Sequence, residues 1–167
     1  MHAIFPKKYL NEVNSACEDT KISNSLILAI IKTESSFAKD KVSSKGAIGL
    51  MQIMPDTAKY VSDLFFAGET FDLKNERENI LIGVTYLLYL FKKFEDKKTA
   101  LCAYNAGEGR VFDWLQNINY SSDGKSIDKI PYKETSSYVK KVIFYEKVYN
   151  LLYWFFKRLI YLFVYIF

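Results

Sequence analysis

Apolar residues recur at helical spacing through most of the chain, and the strict alternation of apolar and polar residues typical of a β-strand is almost absent. Residues 80–91 are the most regular, with apolar side chains on one face and on flanking positions, as in a central, mostly buried helix. The polar segment 117–128 is predicted to be a surface loop, long enough to be functional or mobile. Short connections between the other segments favour one all-α domain. The predicted helices cover residues 7–19, 23 or 24 to about 37, 55 to about 66, 80–91, 99–106, 108–115, and a last stretch from about 132.

Composition agrees with one domain that has a core of its own. The chain has 167 residues, of which 50% are hydrophobic and 25% are charged, and a chain of this length can bury about 70% of its unfolded surface. The charged share argues against a polytopic membrane protein. Three prolines and seven glycines exclude collagen-like and low-complexity chains.

The single histidine, His2, restricts the chemistry that the chain can perform. A terminal imidazole is seldom held against a nucleophile or a metal, so histidine-dependent triads and histidine zinc sites are not expected. Cys17 and Cys102 are too few for a four-thiolate site; they are interpreted as buried small hydrophobes, and a disulfide between them stays open. Acid–base chemistry must therefore come from carboxylates, tyrosine or lysine. No metal or cofactor is implied.

Positive charge is concentrated near the C-terminal end. From residue 140 onward there are five basic residues and one acidic residue, which accounts for the whole formal net charge of +4. Residues 1–139 carry 18 basic and 18 acidic side chains. A body without net charge has no electrostatic footprint for DNA or RNA, so no nucleic-acid partner is expected.

One carboxylate stands where an apolar residue would be expected. Ile27, Ile30 and Ile31 form one face of the second predicted helix, and Glu34 continues that face. Desolvation there would raise the pKa of the carboxyl and keep it protonated near neutrality, as a general acid requires. The alternative is that the helix frays at this point and Glu34 is solvated or pairs with a lysine.

Four motifs in order distinguish between these interpretations. They are ESSF at 34–37, GAIGLMQIMP at 46–55, AYNAG at 103–107, and PYKET at 131–135 followed by YV at 138–139. Together they resemble the catalytic module of the soluble lytic transglycosylases, the family-one peptidoglycan lyases with a goose-type lysozyme-like fold. The resemblance covers roughly residues 5–150, and the ordered set is far more specific than any single motif.

The resemblance implies a reaction with one catalytic carboxylate. Glu34 would protonate the β-1,4 glycosidic oxygen between N-acetylmuramic acid and N-acetylglucosamine in peptidoglycan. As a carboxylate it would then accept the proton of the 6-hydroxyl of the muramic acid, which closes a 1,6-anhydro ring. An intramolecular nucleophile explains why a second carboxylate is not needed.

The resemblance also assigns substrate-binding residues. Gln52 would offer an amide and Met54 an apolar wall to the sugar groove, and the hydroxyl of Tyr104 would support the developing charge. Glu134 and Tyr138 would face the cleft, and Glu134 is the alternative carboxylate that could position a sugar or activate water. The remaining expected residues are Ser35, as a support for Glu34 or only a helix-end hydroxyl, Ser43 as a weaker substrate contact, and Asn105, which more plausibly ties its loop together.

Two features depart from the family pattern. Ser136 follows the late Glu-Thr pair where the family often has arginine, so one ion pair or substrate contact is in doubt. Residues 1–11 lack the apolar segment of a secretory signal, whereas the resemblance implies a bacterial envelope or periplasmic location. Another export route, a domain cut from a longer precursor, or action from inside in a phage- or plasmid-type pathway would each explain this.

The tail at 148–167 is distinct from the catalytic domain expected at 1–147. Residues 138–167 hold 12 of the 28 aromatic residues. Residues 148–167 would form a helix about 30 Å long, close to a bilayer core, but Asn150, Lys157 and Arg158 oppose insertion. An aromatic, cationic segment lying at a membrane surface fits better; packing on the core, a partner surface or an unselected end are the alternatives.

Three functions are therefore compared. A peptidoglycan lytic transglycosylase is favoured, because no other carboxylate at a motif position is an obvious base for water. A goose-type muramidase that hydrolyses the same bond is the second. A non-catalytic glycan-binding or membrane-active protein, in which the tail carries the activity, is the third. The oligomeric state is not determined by the sequence.

Overall fold

A computed structural model describes the backbone of residues 8–166 and the side chains of residues 8–155. All regular secondary structure in these residues is helical, which confirms the predicted all-α class. His2, the start of the first predicted helix and most side chains of the tail lie outside the described residues. The helices are α1 (Leu10–Cys17), α2 (Asn24–Glu34), α3 (Pro55–Phe65), α4 (Glu76–Lys93), α5 (Lys97–Ala106), α6 (Glu108–Leu115) and α7 (Lys133–Ile166).

The centre of the domain is α2. It begins after Ser23, whose hydroxyl accepts a 3.2 Å hydrogen bond from the backbone N–H of Leu26. Every residue from 25 to 31 is buried, because α2 lies against α1 on one side and packs extensively on α7. The segment 80–91, predicted to be a central and mostly buried helix, lies within α4, and seven of its twelve residues are buried while none is fully exposed. This confirms the prediction, and α4 packs on α1, α3 and α5.

The helix α2 ends at Glu34, three residues before the predicted end. The Ser35 hydroxyl donates to the carbonyl of Ile31 at 3.1 Å and accepts from the N–H of Phe37 at 3.2 Å. Ser36 and Phe37 then adopt positive φ angles of 52° and 68°. Because Ser35 satisfies backbone groups at the helix end, the chain can turn there at low cost.

The loop 41–54 connects α2 to α3 and is held by a buried asparagine of α4. The amide of Asn79 donates to the carbonyls of Ile48 and Leu73, both at 2.9 Å, and its oxygen accepts from the N–H of Met51 at 2.9 Å. Gly49 has φ +80°, and a Cβ there would come within 2.3 Å of the Asn79 side chain. Only glycine fits at this crossing.

The segment 117–128 is an ordered surface loop between α6 and α7. The N–H of Ile127 donates to the hydroxyl of Thr99 at 2.9 Å, which ties the loop to α5, and Ile127 is fully buried. The Asp123 carboxylate accepts from the N–H groups of Lys125 and Ser126, each at 2.8 Å. These bonds hold the pKa of the Asp123 carboxyl well below its usual range.

The last helix runs without interruption past residue 148, where the sequence indicated the start of a tail. Tyr149 is fully buried, whereas Leu151, Trp154 and Phe155 each expose more than half of their surface. Among the described residues, no helix combines the length and apolar character needed to cross a bilayer.

Both cysteines are buried and neither is in a disulfide, which confirms their interpretation as small hydrophobes. Burial raises the pKa of Cys17 to about 11 and that of Cys102 to about 12. Both thiols are therefore protonated and unreactive at neutral pH.

Candidate active site

Glu34 is the last residue of α2, and its side chain is only partly accessible. Burial raises the pKa of its carboxyl from an ordinary 4.5 to about 7. Desolvation dominates because the helix that carries Glu34 lies within the core, as the apolar face of the sequence predicted. A carboxyl with this pKa is protonated in about half of the molecules at neutral pH, so it can both donate and accept a proton.

Two charged residues act on this carboxyl in opposite directions. Lys41, from the loop after α2, hydrogen-bonds the backbone carbonyl of Glu34, and its positive charge lowers the pKa of the Glu34 side chain. Glu134, exposed in the first turn of α7, raises that pKa through like-charge repulsion. Both effects are smaller than the desolvation, so the net shift remains upward.

Two tyrosines complete the surroundings of Glu34. The hydroxyl of Tyr104, on α5, donates to the carbonyl of Met51 at 3.0 Å. Tyr138, on α7, is buried, and within the described residues its hydroxyl has no partner at ordinary hydrogen-bond geometry. It lies near enough to the Glu34 carboxyl to favour the ionised form. Burial and the Glu34 charge raise the pKa of both tyrosines well above 10, so both remain neutral hydroxyls.

Gln52 lies in the same loop as Lys41. Its backbone has a positive φ of 50°. Its amide nitrogen donates to the carbonyl of Lys41 at 3.0 Å and to that of Gly49 at 2.8 Å. Both amide protons are thus directed at the loop backbone, and the amide oxygen is the part of Gln52 left for a sugar.

The other expected substrate residues lie in less direct positions. Ser35 is buried and uses its hydroxyl at the end of α2, so its position suits support of Glu34 rather than contact with a sugar. The hydroxyl of Ser43 accepts from the N–H of Ala47 at 3.0 Å, inside the loop. Met54 is 38% exposed immediately before α3, and Asn105 is half-buried in the last turn of α5.

Sequence reasoning missed two residues of this arrangement. Lys41 lies in a polar stretch of the sequence, and nothing in the local pattern distinguishes it from Lys39 or Lys45. Asn79 had a detectable signal, since it occupies the buried face of α4 one turn before Gly83. A polar side chain on an apolar helix face usually has a structural partner, and here the partner is the backbone of loop 41–54.

The geometry suits proton transfer by one carboxyl. Glu34 can donate a proton when neutral, and Lys41 and Tyr138 favour the carboxylate that remains. Within residues 8–155, no three His, Cys, Asp or Glu side chains come together as metal ligands would.

Comparison with known proteins gives a consistent result. The family model described as Transglycosylase SLT domain matches residues 11–127. The chain is 37% identical over 152 residues to a soluble lytic murein transglycosylase of Salmonella typhimurium, which covers 87% of this chain and 23% of that protein. It is 39% identical over 124 residues to a membrane-bound lytic murein transglycosylase C of Haemophilus influenzae, covering 64% of this chain and 34% of that protein.

Solved structures resemble the fold as well. The crystal structure of the 70 kDa soluble lytic transglycosylase of Escherichia coli matches with a TM-score of 0.77 and 32% identity, over 89% of this chain and 25% of that one. A complex of the 70 kDa soluble lytic transglycosylase with bulgecin A gives the same values. An inactive mutant of a Pseudomonas aeruginosa lytic transglycosylase matches with a TM-score of 0.75. The lysozyme-like fold expected from the motifs is thus confirmed. The chain spans about a quarter of the length of the soluble relatives that it matches.

Proposed function

The chain belongs to the transglycosylase SLT domain family, and we propose that it is a peptidoglycan lytic transglycosylase with Glu34 as its single acid and base. The observation that carries this proposal is the Glu34 carboxyl, whose pKa burial raises to about 7. The names of the relatives support the lyase over a goose-type muramidase.

In the proposed reaction, Glu34 first acts as an acid. Its proton passes to the glycosidic oxygen between N-acetylmuramic acid and N-acetylglucosamine, and the bond from that oxygen to the anomeric carbon breaks. Positive charge develops on the sugar ring, and the carboxylate left on Glu34 stabilises it together with the hydroxyls of Tyr104 and Tyr138. Lys41 favours this carboxylate, which makes the proton easier to release.

Glu34 then acts as a base. The 6-hydroxyl oxygen of the same muramic acid bonds to the anomeric carbon, and its proton returns to Glu34. The 1,6-anhydro ring closes without consuming water, and the carboxyl is ready for another cycle. The acid and base steps both require a pKa near the working pH, which is what the burial of Glu34 provides.

The roles of the surrounding residues follow from their positions. Among the described side chains, none partners the buried hydroxyl of Tyr138 at ordinary hydrogen-bond geometry, so a sugar group entering beside Glu34 would satisfy it. Glu134 is exposed and close enough to Glu34 to raise the pKa of its carboxyl, so it can position a substrate bound there. Gln52 and Met54 would border the sugar from loop 41–54, with Ser43 and Asn105 at its periphery.

The test is digestion of purified sacculi, followed by mass spectrometry of the released muropeptides. Products with 1,6-anhydromuramic acid are expected from the wild-type chain and none from Glu34→Gln. Release of only reducing-end muropeptides would replace the lyase by a muramidase. Lysis by Glu34→Gln at the wild-type rate would exclude Glu34 as the catalyst and favour a non-catalytic or membrane-active protein.

We also propose that the enzyme works in the bacterial envelope, with the outer face of α7 against a membrane surface. Leu151, Trp154 and Phe155 are exposed on this helix, and Lys147 adds positive charge nearby. An amphipathic, aromatic and cationic helix favours the interface of an anionic bilayer.

Sedimentation with lipid vesicles tests the membrane surface. The chain is expected to sediment with anionic vesicles and only weakly with zwitterionic ones. Trp154→Ala with Phe155→Ala is expected to reduce sedimentation while digestion of sacculi remains. Phe112→Ala, at an equally exposed ring on α6, is the control. Unchanged binding by the double variant would contradict the proposed surface.

A further inference from the structure

A row of four tyrosine rings leads away from Glu34 across the surface of α4. Tyr104, beside Glu34, lies 5.6 Å from Tyr86 between ring centroids. Tyr86 stacks on Tyr89 at 6.3 Å with an interplanar angle of 15°. Tyr89 meets the edge of Tyr60, on α3, at 5.7 Å. These four residues are called the tyrosine row below.

The outer two rings of the tyrosine row are more exposed than Tyr86, whereas Tyr104 is half-buried at the inner end. Tyr86 is 8% exposed, Tyr89 is half-buried, and Tyr60 is 40% exposed. Phe65 lies beside the outer end, 6.4 Å from Tyr89, and is 50% exposed. Ring contacts thus connect the candidate active site, through the buried Tyr86, to an exposed outer end on the same side of α4 as Tyr104.

The outer end also carries polar groups directed at one another. The hydroxyls of Tyr60 and Tyr89 are 2.9 Å apart. The ammonium of Lys93 donates to the Tyr89 hydroxyl at 3.2 Å and pairs with the carboxylate of Glu108 at 3.0 Å. Hydrogen-bond donors and acceptors thus border the exposed aromatic faces. They come from α3, α4 and the first residue of α6.

This combination matches the chemistry of a sugar chain. A pyranose ring presents a flat face of C–H groups, which pack on the electron-rich face of an aromatic ring, and a rim of hydroxyl and amide groups, which need hydrogen-bond partners. A surface made for an apolar helix would lack the hydroxyls and the ion pair. Exposed apolar patches with polar borders mark interaction sites, ligand-binding grooves among them.

We propose that Tyr60, Tyr89 and Phe65 form a distal glycan subsite, which binds sugars of the strand remote from the bond that Glu34 cleaves. This inference rests on the proposed function, because the ligand is the same glycan. No reacting atom reaches the subsite. The subsite therefore increases the affinity for long strands and fixes which of their bonds lies at Glu34. Short strands do not reach it, so their binding does not depend on it.

Binding of uncross-linked glycan strands to Glu34→Gln tests the subsite, since this variant is expected to hold strands without cleaving them. Short strands of two disaccharides are compared with strands of many disaccharides. Adding Tyr60→Ala and Phe65→Ala is expected to weaken the binding of long strands about tenfold and to leave short strands unchanged. Phe144→Ala, at a ring on α7 that is 58% exposed, is the matched control and should change neither.

A second pair, Tyr60→Leu with Phe65→Leu, keeps apolar volume at both positions and guards against a folding defect in the alanine variant. It is expected to lose the preference for long strands as well, because the flat rings are gone. If these variants weaken the binding of short and long strands equally, or weaken neither, the proposed subsite is wrong. If anhydro products form but strand length has no effect, only the subsite fails. If strand length matters but no anhydro products form, only the proposed reaction fails.

Discussion

The hydroxyl of Tyr104 donates a 3.0 Å hydrogen bond to the backbone carbonyl of Met51. The N–H of the same Met51 donates to Asn79 at 2.9 Å. One residue of loop 41–54 is therefore fixed on both sides, by α4 and by α5. Because Tyr104 also lies beside Glu34, these bonds tie the position of the loop to that of the candidate catalytic residue.

The two tyrosines beside Glu34 are expected to respond differently to loss of the hydroxyl. Tyr104→Phe removes the bond to Met51 and should lower the free energy of unfolding by about 1 kcal/mol. Tyr138→Phe removes a buried hydroxyl that has no partner at ordinary hydrogen-bond geometry in the part of the chain that the structure describes. Its unfolding free energy should therefore change little, although turnover should fall. Urea denaturation and initial rates distinguish the two. Equal destabilisation would show that Tyr138 has a structural bond in solution.

The alkaline limb of kcat/KM against pH is expected near pH 7, because Glu34 must be protonated to act as an acid. Lys41→Met removes a charge that lowers the pKa of Glu34, so the limb should move to higher pH. Glu134→Gln removes a negative charge that raises the pKa of Glu34, so the alkaline limb should move to lower pH. Lys45→Met, at an exposed lysine of the same loop, is the control for a loss of charge.

Shifts of the Lys41 and Glu134 variants in the same direction would contradict this arrangement of charges. A wild-type limb near pH 4.5 would show that Glu34 is solvated. In that case desolvation at the end of α2 would not keep the Glu34 carboxyl protonated near neutral pH.

Glu34→Gln is expected to stabilise the fold at high pH. The folded state holds the Glu34 proton up to about pH 7, whereas the unfolded chain releases it near pH 4.5. The unfolded state therefore binds fewer protons between these values, and the stability contributed by Glu34 falls as pH rises through this window. The neutral glutamine avoids a loss of up to about 3 kcal/mol above pH 7.

Thermal unfolding of both proteins from pH 4 to 8 checks this prediction. The difference in Tm should be small at pH 4 and should grow up to about pH 7. A difference that is constant with pH would point to packing rather than to ionisation.

Asn79→Ala is expected to be among the most destabilising single changes outside the apolar core. It leaves two carbonyls and one N–H of buried loop backbone without their partner, at a cost of about 3 kcal/mol or more. Asn75→Ala, which removes the exposed N-cap of the same helix, should cost about 1 kcal/mol. The comparison is made by urea denaturation, and equal effects would mean that loop 41–54 is held by other contacts.

Local pattern predicted most of the helices. The segment 108–115 coincides with α6, and α5 begins two residues earlier than expected, because Asp96 caps it through the N–H of Thr99 at 2.8 Å. The end of α2 was missed because the hydrogen bonds of Ser35 stop the helix, and helical periodicity does not register such bonds. The motifs predicted which residues form the candidate site. They did not predict which residues hydrogen-bond or pair with one another there.

What the sequence by itself determined is that Glu34 continues the apolar face of α2, which made a desolvated carboxyl one of two expectations. It also determined the all-α class, because helical periodicity is local. The tertiary structure alone decided which groups surround that carboxyl. Lys41, Glu134 and Tyr138 meet Glu34 only when α2 packs on α7 and the following loop folds back, and contacts between distant segments leave no periodic signal in the chain.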